Sequence, residues 1–324
     1  MTTGAFADRL TELIRSRTSA VVVGLDPIPE LFPEKFHGRW NAMLGEPLLE
    51  ALAEAAEAFL TGVIDAVADI VPAVKPQAAC YERLGVSGVA VLRKIVRYAH
   101  ERGLLVILDA KRNDIQSTAE AYADAYLGQV NAPGAAGAGE AWPVDALTVN
   151  PYLGSDGVLP FIERAENFDR GVFVLVRTSN PSSVEFQNLR VSAGEEDSWT
   201  IADGVARKVD IWGAASVGRC GYSSVGAVLG ATFPDEARHF RRLMPRAYFL
   251  VPGVGAQGGN VEQLASFFGP DGLGAIVASS RSLIYAYREA RWAGLPFEEA
   301  TRSATQLLRD RVERARAANQ SVPK

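Results

Sequence analysis

The sequence predicts an α/β protein of the (β/α)8 barrel class, with surface insertions and an extra C-terminal helix. Short apolar runs rich in β-branched residues alternate with longer amphipathic stretches along most of the chain. Eight such runs occur, which is the number of strands that closes this barrel. An open, doubly wound sheet uses the same units, so the alternation alone does not separate the two folds. Charged residues at the ends of several runs favour the barrel, whose active sites lie at the carboxyl ends of its strands.

Each predicted strand is a short apolar segment that runs into a polar or glycine-bearing loop. The strands are expected at residues 20–25, 73–75, 104–108, 146–149, 172–176, 227–229, 248–251 and 275–278. Amphipathic periodicity predicts helices at residues 48–68, 86–102, 115–127, 157–167, 199–214 and 234–243. Residues 1–19 indicate a further amphipathic helix rather than a signal peptide, and residues 297–318 a helix outside the barrel.

Two segments interrupt this rhythm. Residues 131–142 are small, and residues 182–197 are polar with few turn-forming residues. We interpret both as surface insertions, with a lid over a pocket as the alternative. The chain has 324 residues, enough for one large domain or two ordinary ones. We expect residues 1–324 to form a single barrel domain.

Composition narrows the classes of partner. The chain has 33 Lys and Arg residues against 38 Asp and Glu, and neither sign is collected into one block. This balance argues against nucleic acid or a membrane surface as a partner. The two cysteines, Cys80 and Cys220, are far apart, which indicates neither a disulfide framework nor a zinc site. No window approaches the ~18 uncharged apolar residues of a spanning helix, so we expect a cytoplasmic location.

Charged side chains lie where the first three apolar runs end. Asp26 follows the first run, Lys75 ends the second, and Asp109 and Lys111 follow the third. Because the strands of a barrel end at one rim, we expect these groups to gather there. Residues i and i+2 of extended backbone project to the same side, so Asp109 and Lys111 should place an acid beside an amine.

Asp114 and Thr118 are four residues apart at the start of a predicted helix, so they share one helical face. Asp114 is a candidate helix cap or first-turn acid. The alternative is that both residues reach a neighbouring subunit from the rim.

A glycine-rich segment and an arginine follow the last two strands, where barrels of this class usually bind phosphate. Glycines let backbone N–H groups approach an anion, and the segment after the seventh strand contains Gly253, Gly255, Gly258 and Gly259. Gln257 can donate a hydrogen bond there, and Arg281 can bind a phosphate through two N–H groups.

Seven segments occur together in a fixed order along most of the chain: GLDPIPE, AVKPQAACYERLG, LDAKRNDIQST, VNPYLG, RTSNPS, VPGVGAQGG and ASSRSLIYA. In this order they resemble the orotidine 5'-phosphate decarboxylase family, specifically its longer bacterial branch. The string D-x-K-x-x-D-I-x-x-T at residues 109–118 is the most specific of them.

The resemblance implies a (β/α)8 homodimer that converts orotidine 5'-monophosphate (OMP) to uridine 5'-monophosphate (UMP) and CO2, with neither metal nor organic cofactor. It implies a catalytic charge array of Lys75, Asp109, Lys111 and Asp114. It further implies substrate contacts from Asp26 to the ribose, Ser179 or Thr178 to the pyrimidine, and Gln257 with Arg281 to the phosphate. Asp114 and Thr118 would enter the partner's site.

This chemistry explains the residue types. Loss of CO2 from C6 of the pyrimidine leaves an electron pair that the ring cannot delocalise, so the protein must stabilise the charge electrostatically. Lys111 can do so as an ammonium and then deliver a proton to C6. Flanking carboxylates, Asp109 and Asp114, would keep that amine charged in a water-excluded site.

Three other functions remain open at this stage. A phosphosugar decarboxylase or synthase of the same superfamily also uses a D-x-K string but works through a metal-stabilised enediolate. A Schiff-base aldolase would use Lys75 or Lys111 as nucleophile. A non-catalytic nucleotide-binding barrel would bind UMP without turning over OMP.

Overall fold

Eight parallel strands close into a barrel in the computed structural model, which describes residues 4–192, 198–231, 234–253 and 261–320. The strands are β1 (Val21–Leu25), β2 (Ala73–Pro76), β3 (Leu105–Arg112), β4 (Ala146–Val149), β5 (Gly171–Arg177), β6 (Ser223–Leu229), β7 (Ala247–Pro252) and β8 (Ala275–Ser279). Each strand pairs with its neighbours in sequence, and β1 pairs with β8 to complete the circle. The predicted fold class is confirmed.

Helices surround the strands. They are α1 (Phe6–Arg17), α2 (Gly45–Val67), α3 (Ala78–Glu82), α4 (Gly85–Glu101), α5 (Gln116–Leu127), α6 (Leu159–Asn167), α7 (Val184–Gln187), α8 (Ile201–Trp212), α9 (Pro234–Leu243), α10 (Arg281–Ile284) and α11 (Phe297–Gln320). All six helices predicted between the strands are present; α9 has the predicted ends, and each of the other five is shifted at one end or both. The barrel strands are buried along nearly their whole length, as expected of a parallel sheet covered by helices.

Strand β3 extends beyond its predicted end. Periodicity placed the end at residue 108, yet the strand runs to Arg112, which pairs with Val149 after a shift in register. Two polar residues of this extension, Asp109 and Lys111, line the rim cavity, and Arg112 donates a hydrogen bond to Glu82. Apolar periodicity therefore could not include them. Asp109 and Lys111 thus lie within the strand and not after it.

Helix α1 lies across the amino-terminal side of the barrel. The ring of Phe6 meets that of Phe173 edge to face at 5.9 Å. Only glycine fits beside it, because a Cβ atom at Gly171 would lie 2.4 Å from the Phe6 ring. The hydroxyls of Thr11 and Tyr248 are 2.6 Å apart in the buried interior. These contacts fasten the helix to the ends of β5 and β7.

Helix α11 lies outside the barrel of strands, as predicted. It packs against α2 and against the turn Val261–Phe267, which follows β7. The ring of Phe297 lies close to the backbone of Gly62 in α2, where a Cβ atom would be 2.7 Å away. The helix therefore takes the eighth place in the ring of helices.

The two predicted insertions differ in structure. Residues 131–142 form a mostly exposed loop, tied at its base by an antiparallel bridge between Val130 and Gly139. The second insertion contains α7 and a short antiparallel pair, Arg190–Ser192 with Ser198–Thr200; residues 193–197 lie outside the described part. Helix α8 then starts at a capping box formed by Thr200 and Asp203. Within the described residues, no helix has the length and apolar character needed to span a membrane.

Candidate active site

A cavity of about 960 Å³ opens at the carboxyl ends of the strands. Residues from most of the strand ends line it, which is where the fold places its active sites. Six of the nine predicted site residues line this cavity: Asp26, Lys75, Asp109, Lys111, Ser179 and Arg281. Asp114 and Thr118 are described but do not line it, and Gln257 lies outside the described residues.

Asp109 is the centre of a polar cluster that we call the floor of the cavity. The floor also contains Lys75, Gln77, Lys111 and Thr148. Its Oδ2 atom lies 2.8 Å from Lys75 Nζ and accepts a hydrogen bond of 3.2 Å from Gln77 Nε2. Its Oδ1 atom lies 2.6 Å from Lys111 Nζ and accepts a hydrogen bond of 3.0 Å from the Thr148 hydroxyl. One carboxylate therefore receives two ammonium groups and two neutral donors.

The charged forms of Asp109 and Lys75 stabilise each other. Burial acts to raise the pKa of Asp109, but the positive charges of Lys75 and Lys111 outweigh it and hold that pKa well below its ordinary value. Burial acts to lower the pKa of Lys75, but the charges of Asp109 and Asp26 outweigh it and raise that pKa. The array therefore holds a carboxylate and an ammonium at neutral pH.

The backbone of Lys111 is unusual. Its φ angle is 50°, in the left-handed region that costs a non-glycine residue roughly 1–3 kcal/mol. The shift in register between β3 and β4 lies at this point, and Lys111 N donates a hydrogen bond of 2.9 Å to Thr148 Oγ1. The expected contact of Asp109 with Lys111 is thus present, but it comes from a bulge rather than from regular extended backbone.

Asp26 presents a carboxylate oxygen with no partner. Among the described residues, nothing hydrogen-bonds to its buried Oδ1 atom. Its backbone is fixed instead, because the Tyr285 hydroxyl donates to Asp26 O at 3.0 Å and accepts from Ile28 N at 2.7 Å. A buried acceptor that lines a cavity is suited to a hydroxyl donor from a ligand.

Thr178 and Ser179 follow β5 and both line the cavity. The turn that carries them packs closely on the loop after β6, where a Cβ atom at Gly230 would lie 2.9 Å from Ser179 Cβ. The Thr178 hydroxyl donates to Asn180 Oδ1 at 2.7 Å. Both residues named for the pyrimidine contact therefore border the cavity.

Three residues that follow β7 and β8, in the region predicted to bind phosphate, also line the cavity. They are Gly253, with φ of 96°, Ser280 and Arg281. The Ser280 hydroxyl is buried and, among the described residues, has no hydrogen-bond partner. Arg281 is exposed and forms no ion pair within the described ranges. The predicted contact Gln257 and the glycines 255, 258 and 259 lie outside the described residues.

Asp114 and Thr118 do not line the cavity of their own chain. Asp114 precedes α5 and its Oδ1 atom accepts from Ile115 N at 2.8 Å, while Thr118 is exposed on that helix. The structure of one chain therefore separates these two residues from the other predicted site residues.

Sequence reasoning missed two polar residues of the floor, Gln77 and Thr148. Gln77 stands two positions after Lys75, the same spacing that linked Asp109 to Lys111. Thr148 lies in β4 with its side chain toward Asp109. Both are uncharged, so a search for charges at strand ends passed over them.

Two histidines and a cysteine lie outside the cavity lining. His100 contacts Asp145 and His239 contacts Asp203, away from the cavity. Burial raises the pKa of Cys80 to about 11, which keeps the thiol protonated. In the described part of the chain, no three His, Cys, Asp or Glu side chains are grouped to hold a metal ion.

Comparisons with known proteins agree on one group. The model of the "Orotidine 5'-phosphate decarboxylase / HUMPS family" matches residues 19–287. Orotidine 5'-phosphate decarboxylase of Caldicellulosiruptor bescii is 41% identical over 314 residues, which cover 96% of this chain and 98% of that one. The Rhodopirellula baltica enzyme of the same name is 39% identical over 312 residues, covering 95% and 99%. The solved OMP decarboxylase of Leishmania donovani has a TM-score of 0.72 at 29% identity, covering 97% and 100%.

Proposed function

The chain belongs to the orotidine 5'-phosphate decarboxylase / HUMPS family, and from this premise we propose that its rim cavity decarboxylates OMP to UMP by means of the Lys75, Asp109 and Lys111 array. Its relatives at 39% and 41% identity over nearly the whole chain are orotidine 5'-phosphate decarboxylases, so the chain is an enzyme of this class. The observation that carries the proposal is one buried carboxylate that bridges two lysines in a cavity large enough for a nucleotide.

The walls of the cavity suit the three parts of a nucleotide. Arg281 and the Ser280 hydroxyl would hold the phosphate, because a charged fork suits an anion, as does a buried hydroxyl that has no partner in the described part of the chain. Asp26 would accept a hydrogen bond from a ribose hydroxyl through Oδ1, which no described residue contacts by a hydrogen bond. The turn at Thr178 and Ser179 would contact the pyrimidine across the cavity. This arrangement would bring C6 over the floor.

Lys111 would act on the reacting carbon. When the bond from C6 to the carboxylate breaks, its electron pair stays on C6, and a fixed ammonium stabilises that charge in a site with little water. The same ammonium then delivers its proton to C6, which completes UMP. Asp109 would keep the amine charged and aimed before substrate arrives, and Lys75 would balance the charge of the acid and hold it in place. Little reorganisation is then needed during the reaction.

We further propose a homodimer in which Asp114 and Thr118 of one copy enter the cavity of the other. Exposed apolar side chains beside these residues support it: Ile115, Tyr152 and Leu153 are all exposed. The loop that carries Tyr152 leads into a turn that packs against the start of α5. A cluster of exposed apolar groups at the rim is suited to burial against a second copy. The single domain over residues 1–324 and the cytoplasmic location belong to this proposal.

A direct assay tests the proposed activity. OMP is added to purified protein that has been treated with EDTA, and UMP is quantified by chromatography. We expect full turnover without added metal. A strict requirement for Mg²⁺ would favour the phosphosugar enzymes, and trapping of a carbonyl substrate by borohydride would favour a Schiff base. Tight binding of UMP without turnover of OMP would identify a binding protein.

A further inference from the structure

Gln187 lies on α7, in the insertion after β5, and its carboxamide contacts both the backbone and the side chain of Thr178. Thr178 N donates to Gln187 Oε1 at 2.9 Å, and Gln187 Nε2 donates to Thr178 Oγ1 at 2.8 Å. Both residues line the rim cavity. We infer that Gln187 is a positioning residue for the turn that contacts the pyrimidine. This inference rests on the proposed function.

The direction of the two hydrogen bonds between Gln187 and Thr178 is determined by chemistry. A backbone N–H can only donate, so the oxygen of the Gln187 amide must face Thr178 N and the nitrogen must face Thr178 Oγ1. The Thr178 hydroxyl accepts there and gives its one proton to Asn180 Oδ1 at 2.7 Å. It therefore has no proton for a ligand, and of the two candidates for the pyrimidine contact the geometry favours Ser179.

The insertion that carries Gln187 is anchored to the end of β5. The buried Arg177 donates to Ser183 Oγ at 3.0 Å and to Glu236 Oε2 at 3.0 Å. Its NH1 group also reaches Gln187 Oε1 at 3.4 Å. A charged, buried donor thus holds α7 and the turn in one arrangement.

The turn is confined on its other side as well. The backbone of Gly230 approaches Ser179 so closely that a Cβ atom there would lie 2.9 Å from Ser179 Cβ. Ser179 is therefore held between the loop after β6 and the Gln187 contact. Loss of the Gln187 carboxamide should remove the contact between the insertion and the turn and leave the contact with Gly230 in place. Ser179 should then hold a less well-defined position relative to the base.

The experiment compares Gln187→Ala with Glu185→Ala. Glu185 is an exposed residue of the same helix and forms no hydrogen bond or ion pair within the described residues, so it controls for changes to α7 itself. Dissociation constants are measured for UMP and for ribose 5-phosphate, which has the sugar and phosphate but no base. Steady-state constants with OMP and the melting temperature are recorded for each variant.

We expect Gln187→Ala to weaken UMP binding about tenfold and to change ribose 5-phosphate binding less than about twofold, since roughly one hydrogen-bonded contact to the base is lost. KM for OMP should rise with it, and Glu185→Ala should behave as the unaltered chain. Adding Thr178→Val to Gln187→Ala should cause little further loss, because both act through one contact.

Equal weakening of both ligands, or no change in either, would overturn the inference. The proposed function is tested separately, by measuring turnover of OMP by the unaltered chain. If that turnover is present and Gln187→Ala keeps the normal ratio of the two affinities, only the inference fails. If the unaltered chain neither turns over OMP nor binds UMP, both fail.

Discussion

Lys111 Nζ and Asp109 Oδ1 lie 2.6 Å apart, yet the two side chains differ in exposure, at 45% and 12%. Asp109 is held by three further donors, whereas the lysine reaches the carboxylate from the open side of the cavity. The acid is therefore the fixed partner and the amine the one that can turn toward a ligand. This asymmetry is what a proton donor to C6 requires.

Lys111→Ala should reduce decarboxylation by about 10³-fold or more, because both charge stabilisation and protonation at C6 depend on the amine. The fold should persist, since Asp109 keeps Lys75 as its ion-pair partner. Single-turnover assays with OMP measure the effect, and circular dichroism checks the fold. Lys94→Ala, which removes an exposed lysine paired with Glu57, is the control. Normal activity of the Lys111 variant would exclude the amine as proton donor.

Arg281→Ala should raise KM for OMP by about 100-fold, since a charged phosphate contact is lost. Its melting temperature should stay close to normal because the side chain is exposed and makes no ion pair in the described ranges. Turnover of orotidine, which lacks the phosphate, should be unaffected. Arg291→Ala, at an arginine that stacks on Trp292, provides the matched control. Equal losses for OMP and orotidine would contradict the assigned phosphate contact.

Mixing two inactive variants should restore activity if the site is shared between subunits. In a dimer of Lys111→Ala with Asp114→Ala, one site receives Lys111 from one chain and Asp114 from the other. Random exchange then yields about a quarter of normal activity, since half the dimers carry one intact site of two. Refolding the variants together and assaying OMP turnover measures this. A mixture that stays inactive would place Lys111 and Asp114 in the same chain's site or leave the copies separate.

Acid should destabilise the fold through Asp145, a fully buried carboxylate at the amino-terminal end of β4. Burial acts to raise its pKa, but the His100 hydrogen bond and charge, the charge of Arg9 and the Val106 N–H outweigh it and lower that pKa. A carboxyl whose folded pKa is lowered stabilises the fold above its ordinary pKa, here 3.8, and that stability is lost as pH falls through the lower folded value.

Urea unfolding between pH 7 and pH 3 measures this loss. Asp145→Asn should cost about 3–5 kcal/mol at pH 7, because Arg9 is left buried without its carboxylate. In the same variant, the free energy of unfolding should depend less steeply on pH below pH 4 than in the unaltered chain. An unchanged slope would assign the acid sensitivity to other carboxylates. Glu163→Gln, at an exposed ion pair, should leave both quantities nearly as they are.

The sequence predicted the barrel and the charged floor because both depend on regular signals. Buried strands are apolar runs, and charges at their ends stand out, as at Lys75 and Asp109. Gln77 and Thr148 were not predicted as site residues because neutral polar residues are common where a strand passes into a loop. Gln187 was missed for another reason: it lies in an insertion whose path no periodicity describes, nine residues from its partner Thr178.

The strand β4 has a buried ion pair at one end and a contact to Asp109 at the other: Asp145 precedes it and Thr148 is near its end. A contact that stabilises the fold and a contact to the proposed catalytic array therefore lie at opposite ends of one short strand. Substitutions at the amino-terminal end of the barrel could therefore raise its heat resistance, and substitutions in the loops at the carboxyl ends of the strands could change its substrate. Each set of changes is expected to leave the other end of the barrel as it was.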